Sequence, residues 1–228
     1  MTGAGTHPPM TLSAVLFDMD GLLVNTEPLW VESEHETLAV LGGTWTEADQ
    51  RAVMGASMAH ATAHMRQVSG TDRTEAEIGE LLLASMLGRL RGAEIPIQPG
   101  AAQLVAEVAA SGVPFALVSA SVRSVVDLVL SYLYGAGFPE FPVTVAGDEV
   151  ARSKPDPMPY LRAAELLGVD VTRAVVLEDS ANGTQAGWAA GATVVAVPHA
   201  VPIQPAERIV VRDSLVGLDM AGLAALIG

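Results

Sequence analysis

The chain has 228 residues, a formal net charge of −14 and no cysteine. Its length suits one compact domain or a core with an inserted module, and hydrophobic residues make up 50% of it, which excludes wholesale disorder. The lack of cysteine excludes disulfides, zinc–thiolate sites and thiol catalysis. The strong negative charge disfavours nonspecific binding to nucleic acids or anionic membranes.

Two further segments bear on the class of protein. The uncharged stretch 180–206 is interrupted by glycines and prolines, so it does not predict a membrane-spanning helix. Residues 1–12 contain no Lys or Arg of the kind that begins a secretory signal, and we expect a flexible tail there. The sequence therefore predicts a cytoplasmic protein with no membrane partner, and nothing in it demands more than a monomer.

In chain order, short apolar runs alternate with segments of helical periodicity, which is typical of a parallel sheet covered by helices. The first apolar run spans 14–17 and ends in a carboxylate, Asp18. Further strands are predicted at 113–118, 143–146, 174–177, 193–197 and 209–211, and helices at 100–110, 122–133, 157–167, 183–190 and 217–227. The predicted fold is α/β, with a Rossmann-like parallel sheet and helices on both faces.

The stretch 27–95 departs from this alternation. It contains no convincing buried strand, and its apolar residues recur at helical spacing. Pro96 and the pair Pro99–Gly100 mark the return to the alternating pattern. We therefore expect an α/β core formed by residues 13–26 and 96–228, with an α-helical cap inserted at 27–95.

Polar side chains lie at the ends of the predicted strands or in the loops after them: Asp18, Asp20, Ser119, Lys154, Glu178 and Asp179. The carboxyl edge of an open parallel sheet is where ligands bind. The carboxylates favour Mg²⁺ over zinc or copper, and Lys154, the single lysine beside 11 arginines, adds a compact positive charge. Ser119 and its loop add hydroxyl and N–H donors, so the set predicts a phosphate-handling site. One carboxylate could attack phosphorus while a second moves the proton.

Four segments resemble the four motifs of the haloacid dehalogenase superfamily, in the expected order: FDMDGLLVNTE (17–27), LVSAS (117–121), SKPDP (153–157) and LEDSANGTQAG (177–187). The position of the insertion resembles the helical cap of the subfamily that holds small-molecule phosphatases and β-phosphoglucomutase. The resemblance implies a Mg²⁺-dependent phosphatase that hydrolyses a small phosphorylated metabolite through an aspartyl-phosphate. The substrate expected is a sugar phosphate, a polyol phosphate or a nucleotide-like monoester.

The resemblance also implies roles for the acidic residues. Asp18 would be the nucleophile, and Asp20 would protonate the leaving oxygen and then activate water. Mg²⁺ would bind Asp18, the backbone carbonyl of Asp20, and Asp179, with Glu178 as a direct or an outer ligand. Ser119, the N–H of Ala120, and Lys154 would hold the phosphoryl group.

Two alternatives stay open. A β-phosphoglucomutase carries a His where this chain has Trp30, and an Arg where Met58 follows Ser57. Without that cation the cap should hold a second phosphate poorly, which favours hydrolysis. A catalytically silent phosphate-binding regulator is expected to lack Asp18 or Asp20, and both are present.

The cap is expected to select the substrate, because the core contacts only the phosphate. Candidate lining residues are Trp30, Met54 and Met58, with Trp45 and His35 as further possibilities. Packing inside the cap is the competing interpretation for each of them.

Overall fold

A computed structural model describes residues 12–53, 57–198 and 201–227. Within these ranges six strands form one parallel sheet, in the order β3-β2-β1-β4-β5-β6. The strands are β1 (Ala14–Phe17), β2 (Phe115–Val118), β3 (Val143–Val145), β4 (Ala174–Glu178), β5 (Thr193–Ala196) and β6 (Ile209–Val211). The predicted α/β class is confirmed.

Nine α-helices are found in the described part of the chain. They are α1 (Glu27–Val40), α2 (Glu47–Val53), α3 (Met58–Ser69), α4 (Glu75–Leu90), α5 (Ala101–Ser111), α6 (Arg123–Gly135), α7 (Met158–Leu167), α8 (Ala181–Ala189) and α9 (Met220–Ala225). None of the helices in these ranges is both long enough and apolar enough to cross a membrane.

The central strands are apolar throughout because both faces of the sheet are covered. Successive side chains point to opposite faces, so each strand contributes to two hydrophobic clusters. In β1, Val15 and Phe17 belong to the cluster that includes α5 and α6, whereas Ala14 and Leu16 belong to the cluster on the α7 and α8 side. The strand β1 pairs with β2 on one side and β4 on the other, which brings the ends of all three together.

Helices α1 to α4 fill the stretch between β1 and α5. They enclose a hydrophobic cluster of their own, which includes Leu38, Trp45, Met65 and Leu82. Toward the end of α4, Met86 and Leu90 pack into the cluster of the main sheet instead. The division into a core and a cap at residues 26/27 and 95/96 stays a prediction.

The chain leaves the sheet region and returns to it along two adjacent segments. Val24 and Ile97 form an antiparallel bridge. The backbone N–H of Asn25 donates to the carbonyl of Pro96 at 2.8 Å, and that of Gln98 donates to the carbonyl of Leu23 at 2.9 Å. The two chain crossings between the sheet and the inserted helices thus lie side by side, directly beside the carboxyl end of β1.

Candidate functional site

A cavity of about 310 Å³ lies between the carboxyl edge of the sheet and the inserted helices. The core contributes acidic and basic groups, among them Asp18, Asp20, Lys154 and Asp179, and the loop 120–122 after β2. The inserted helices contribute mainly apolar and aromatic side chains, together with two carboxyls and an amide: Glu27, Trp30, Glu34, Gln50, Val53, Met58, Ala61 and Leu82. One wall is therefore charged and the other largely apolar.

Lys154 is the centre of the charged wall. Its ammonium donates to Asp18 Oδ1 at 2.5 Å, to Glu178 Oε1 at 2.6 Å and to the carbonyl of Val118 at 2.9 Å. An ammonium has three protons, and these three bonds use all of them. Burial by itself lowers the pKa of Lys154, but the carboxylates of Asp18 and Glu178 outweigh it and raise the pKa above its usual value. The buried cation therefore stays charged.

Glu178 stands behind the cavity surface. It is fully buried, and its Oε1 accepts bonds from Lys154 and from the hydroxyl of Tyr160. Its Oε2 accepts bonds from the N–H groups of Asp179 and Ser180 and from the Ser180 hydroxyl, at 3.0 to 3.2 Å. Five donors occupy the lone-pair positions of this carboxylate. The arrangement favours an organising role for Glu178, in which it orients Lys154 and the start of α8.

The charged wall holds more carboxylates than the single positive charge of Lys154 can neutralise. Burial, followed by the charge of Glu178, raises the pKa of Asp18 well above its ordinary range despite the opposing effect of Lys154. Burial and the neighbouring Asp18 and Glu178 raise the pKa of Asp179 to about 9. Like charges this close cannot all ionise unless a cation joins them.

The donor set fits Mg²⁺. Asp18, Glu178 and Asp179 each offer a carboxylate oxygen, and these atoms lie within 4.8 Å of one another. Oxygen ligands are those that Mg²⁺ prefers, and its usual mode of binding uses one or two carboxylates with waters and a phosphate. Asp18 and Asp179 line the cavity, whereas the oxygens of Glu178 are engaged by hydrogen bonds. These two aspartates are therefore the direct ligands that the geometry favours.

Two glycines make room for the acidic side chains. A Cβ at Gly21 would lie 2.0 Å from Asp179 Oδ2, and the φ of +84° at Gly21 is itself unfavourable for other residues. A Cβ at Gly183 would lie 1.7 Å from Glu178 Oε1. The glycines of the first and fourth motifs thus allow the backbone to approach the carboxylates closely.

Asp20 is held by hydroxyl groups. Its Oδ1 accepts a bond from Thr26 at 2.5 Å, and its Oδ2 accepts bonds from Ser121 at 2.9 Å and Ser119 at 3.1 Å. Ser119 is fully buried and is not among the described residues that line the cavity, whereas Ala120 and Ser121 are. The role of Ser119 as a phosphate ligand stays a prediction, and Ser121 is a hydroxyl donor that the sequence analysis did not single out.

The candidates in the inserted helices divide into two groups. Trp30 and Met58 line the cavity, but His35 is exposed on α1 and Trp45 is buried in the cluster of the inserted helices. Met54 lies outside the described residues. Glu34 also lines the cavity, and the sequence analysis did not single it out.

Comparison with known proteins identifies relatives across most of the chain. The family model for haloacid dehalogenase-like hydrolases matches residues 15–197. Protein CbbY of Rhodobacter capsulatus is 32% identical over 196 residues, which cover 83% of this chain and 86% of CbbY. Hexitol phosphatase B of Escherichia coli strain K12 is 32% identical over 209 residues, which cover 90% of this chain and 91% of that enzyme.

Solved structures show the same similarity. Crystal structures of CbbY from Rhodobacter sphaeroides are known with phosphate and, for a variant, with xylulose 1,5-bisphosphate. They match this fold with TM-scores of 0.83 and 0.82 at 30% and 29% sequence identity. Each match covers 93% of this chain and 99% of the CbbY chain.

Proposed function

This chain belongs to the haloacid dehalogenase-like hydrolases, and on that premise we propose that it is a Mg²⁺-dependent phosphatase of small sugar or polyol monophosphates. The reaction proceeds through an aspartyl-phosphate on Asp18. The observation that supports this most directly is the bond between Lys154 and Asp18 in the wall of a cavity that Asp20 and Asp179 also line.

In the first step, a carboxylate oxygen of Asp18 attacks the phosphorus atom, and the bond between phosphorus and the leaving oxygen breaks. Asp20, in its protonated form, donates its proton to that oxygen, so that the alcohol leaves neutral. Lys154 holds Asp18 in position and offsets the negative charge that its carboxylate shares with the phosphoryl group.

In the second step, a water molecule attacks the phosphorus of the aspartyl-phosphate. Asp20, now a carboxylate, takes a proton from this water, and the bond between phosphorus and Asp18 breaks. Inorganic phosphate and the free Asp18 carboxylate are the products. Hydrogen bonds from Thr26 and Ser121 keep Asp20 at the cavity in both steps.

Mg²⁺ would be held by Asp18 and Asp179, together with the backbone carbonyl of Asp20 that the family resemblance implies. When bound, it supplies positive charge for the phosphoryl oxygens and for the clustered carboxylates. The raised pKa values of Asp18 and Asp179 support this assignment, since a divalent cation would stabilise their ionised forms.

Three features support a small monophosphate as the substrate. The cavity of about 310 Å³ accommodates a metabolite and not a polymer. Lys154 is the one cationic side chain among the described lining residues, and the acids Glu27 and Glu34 face the same cavity. Among the relatives, hexitol phosphatase B is by name a phosphatase of polyol phosphates.

The mutase alternative requires that the enzyme bind a bisphosphate intermediate tightly. Trp30 and Met58 line the cavity where a β-phosphoglucomutase has His and Arg, so the described lining offers no second cation for a far phosphate. Water then competes well for the aspartyl-phosphate, and hydrolysis is the expected outcome.

The test is phosphate release from a panel of sugar, polyol and nucleoside monophosphates with Mg²⁺ and with EDTA, while glucose 6-phosphate is monitored during turnover of β-glucose 1-phosphate. We expect metal-dependent phosphate release that is strongest for one sugar or polyol monoester. Full activity in EDTA would contradict the metal dependence. Glucose 6-phosphate formed without phosphate release would establish a mutase instead.

A further inference from the structure

Glu34 is an unusual residue for the largely apolar wall of the cavity. It lies on α1, where only 6% of its surface is exposed, and it borders the cavity together with Trp30 and Met58. Its Oε2 is buried and has no hydrogen-bond partner among the described residues. A buried carboxyl oxygen without a partner is unfavourable, so a hydrogen-bond donor that binds in the cavity would be stabilised by contacting it.

A second polar side chain, Gln50, borders the cavity with this carboxyl. The indole N–H of Trp45 donates to Gln50 Oε1 at 2.8 Å, and because indole is only a donor, this bond fixes the orientation of the Gln50 amide. The amide nitrogen is then turned away from Trp45, and the Gln50 side chain acts to lower the pKa of Glu34 against the effect of burial. Two polar groups, an acceptor and a donor, are therefore presented beside Val53, Met58 and Leu82.

The surroundings restrict what this pair can bind. A second phosphate would meet Glu34 and Glu27 with no cationic side chain among the described residues of that wall. A purely apolar group would leave the Glu34 oxygen without a partner. A neutral group with several hydroxyls satisfies both demands, because each hydroxyl can donate to a carboxyl oxygen and accept from an amide.

We propose that Glu34 is a specificity-determining residue that accepts a hydrogen bond from a hydroxyl of a polyhydroxylated leaving group. This inference rests on the proposed phosphatase function and names the group that selects its substrate. Glu34 takes no part in the transfer of the phosphoryl group, for which the residues lie at the opposite wall. It discriminates between leaving groups through the hydrogen bond that only a hydroxylated substrate can make.

The test compares six-carbon leaving groups that carry several hydroxyls, none, or an amine. The substrates are the most active hexose or hexitol monophosphate of the panel, hexyl phosphate, and 6-aminohexyl phosphate. The variants are Glu34→Leu and the nearly isosteric Glu34→Gln, with Glu36→Gln as the matched control. Glu36 lies on the same helix but bonds Ser85 and Arg89 away from the cavity. Thermal melts confirm that each variant folds.

We expect Glu34→Leu to lower the ratio of kcat/KM for the hydroxylated substrate to that for hexyl phosphate roughly tenfold to a hundredfold. Glu34→Gln should lower it less, since its amide oxygen still accepts a bond, and Glu36→Gln should change it by less than about twofold. A purely structural role would lower kcat/KM for both substrates equally and leave the ratio unchanged.

Three results would overturn the inference. An unchanged ratio in a folded and active Glu34→Leu variant would refute it while leaving the phosphatase function intact. A greater loss with 6-aminohexyl phosphate than with the hydroxylated substrate would assign Glu34 to a cationic leaving group. No phosphate release by the wild-type enzyme from any monoester would remove the proposed function, and this inference with it, before any variant is measured.

Discussion

The two walls of the cavity differ in how completely their polar groups are satisfied. On the core side, Lys154 and Glu178 share their bonds with Asp18, Tyr160 and the start of α8 until no donor of the lysine remains unused. On the side of the inserted helices, Glu34 keeps an oxygen without a partner among the described residues. A wall whose polar groups all have hydrogen-bond partners suits a reaction that is the same for every substrate. An acceptor without a partner on the other wall suits discrimination among substrates.

Removing Asp18, the proposed nucleophile, should have the largest effect on activity. We expect Asp18→Asn to lower kcat at least roughly a thousandfold, because an amide cannot form the aspartyl-phosphate. Asparagine has the same shape, so the melting temperature should change little. The control is Asp72→Asn, which makes the same chemical change at an exposed site. Appreciable turnover by Asp18→Asn would exclude a covalent aspartyl intermediate.

Lys154→Met should disturb both the chemistry and the fold. Loss of the ammonium leaves Asp18 and Glu178 buried without their cation, which we expect to destabilise the protein by about 3–5 kcal/mol. In any folded fraction, kcat should fall roughly a hundredfold or more.

Lys154→Arg should not restore activity, since a planar guanidinium does not fit the three short bonds of the ammonium. Urea melts and steady-state kinetics measure the two effects, and wild-type kinetics for either variant would refute the assigned role.

A smaller change tests the role of Glu178 without touching a charge. In Gly183→Ala the new methyl group would lie 1.7 Å from Glu178 Oε1, so the carboxylate must move and take Lys154 with it. We expect kcat to fall roughly tenfold to a hundredfold, as positioning losses of this kind do. Gly88→Ala is the matched control, because a Cβ there meets nothing within 4 Å in helix α4. That control should keep full activity and gain about 0.5–1 kcal/mol of stability.

The smallest expected effect is on the pH dependence of the free energy of unfolding, and it concerns Glu34 in the apolar wall. Burial raises the pKa of Glu34 from 4.5 to about 7. The side chain of Gln50 opposes this shift, and the charge of Glu27 adds to it. The folded state therefore holds a proton on Glu34 that the unfolded state has lost, and stability falls as the pH rises from about 4.5 through about 7. Glu34→Gln removes this dependence, so its advantage over the wild type should grow by about 1–3 kcal/mol between pH 5 and pH 8. Chemical denaturation at both pH values measures the difference, and parallel pH profiles for the two proteins would refute the shift.

The sequence predicted the sheet well because its strands are short apolar runs between turn residues. The bounds of β1 and β6 were predicted to the residue. Helix α8 begins at Ala181, two residues before the predicted start, because the Ser180 hydroxyl accepts a bond from the N–H of Gly183 and caps the helix there. Helix α9 begins at Met220 instead of residue 217, because Asp219 caps it in the same way.

The candidate site could be predicted only in part. Parallel strands place their ends at one edge, so Asp18, Lys154 and Asp179 were expected together, and all three line the cavity. The interior position of Tyr160 depends on how α7 packs, for which the sequence carries no local signal. Glu34, in contrast, has a local sequence signal, because it is an acid at a position of α1 where the helical spacing predicts a buried side chain. That spacing would have identified it as a buried carboxyl.

The paired segments at Val24 and Ile97 have a consequence for how such a protein can be altered. Because the chain crosses from the sheet and back at one hydrogen-bonded junction, the distance that the intervening residues must span is fixed at a few ångströms whatever their number. The entropy of closing a loop grows only slowly with its length. Inserts of different size and sequence can therefore be grafted between these two points without moving β1 or α5, provided that they cover the cluster which Met86 and Leu90 cover here. New substrate preferences can arise by exchange of the insert while the residues proposed to handle phosphate stay where they are.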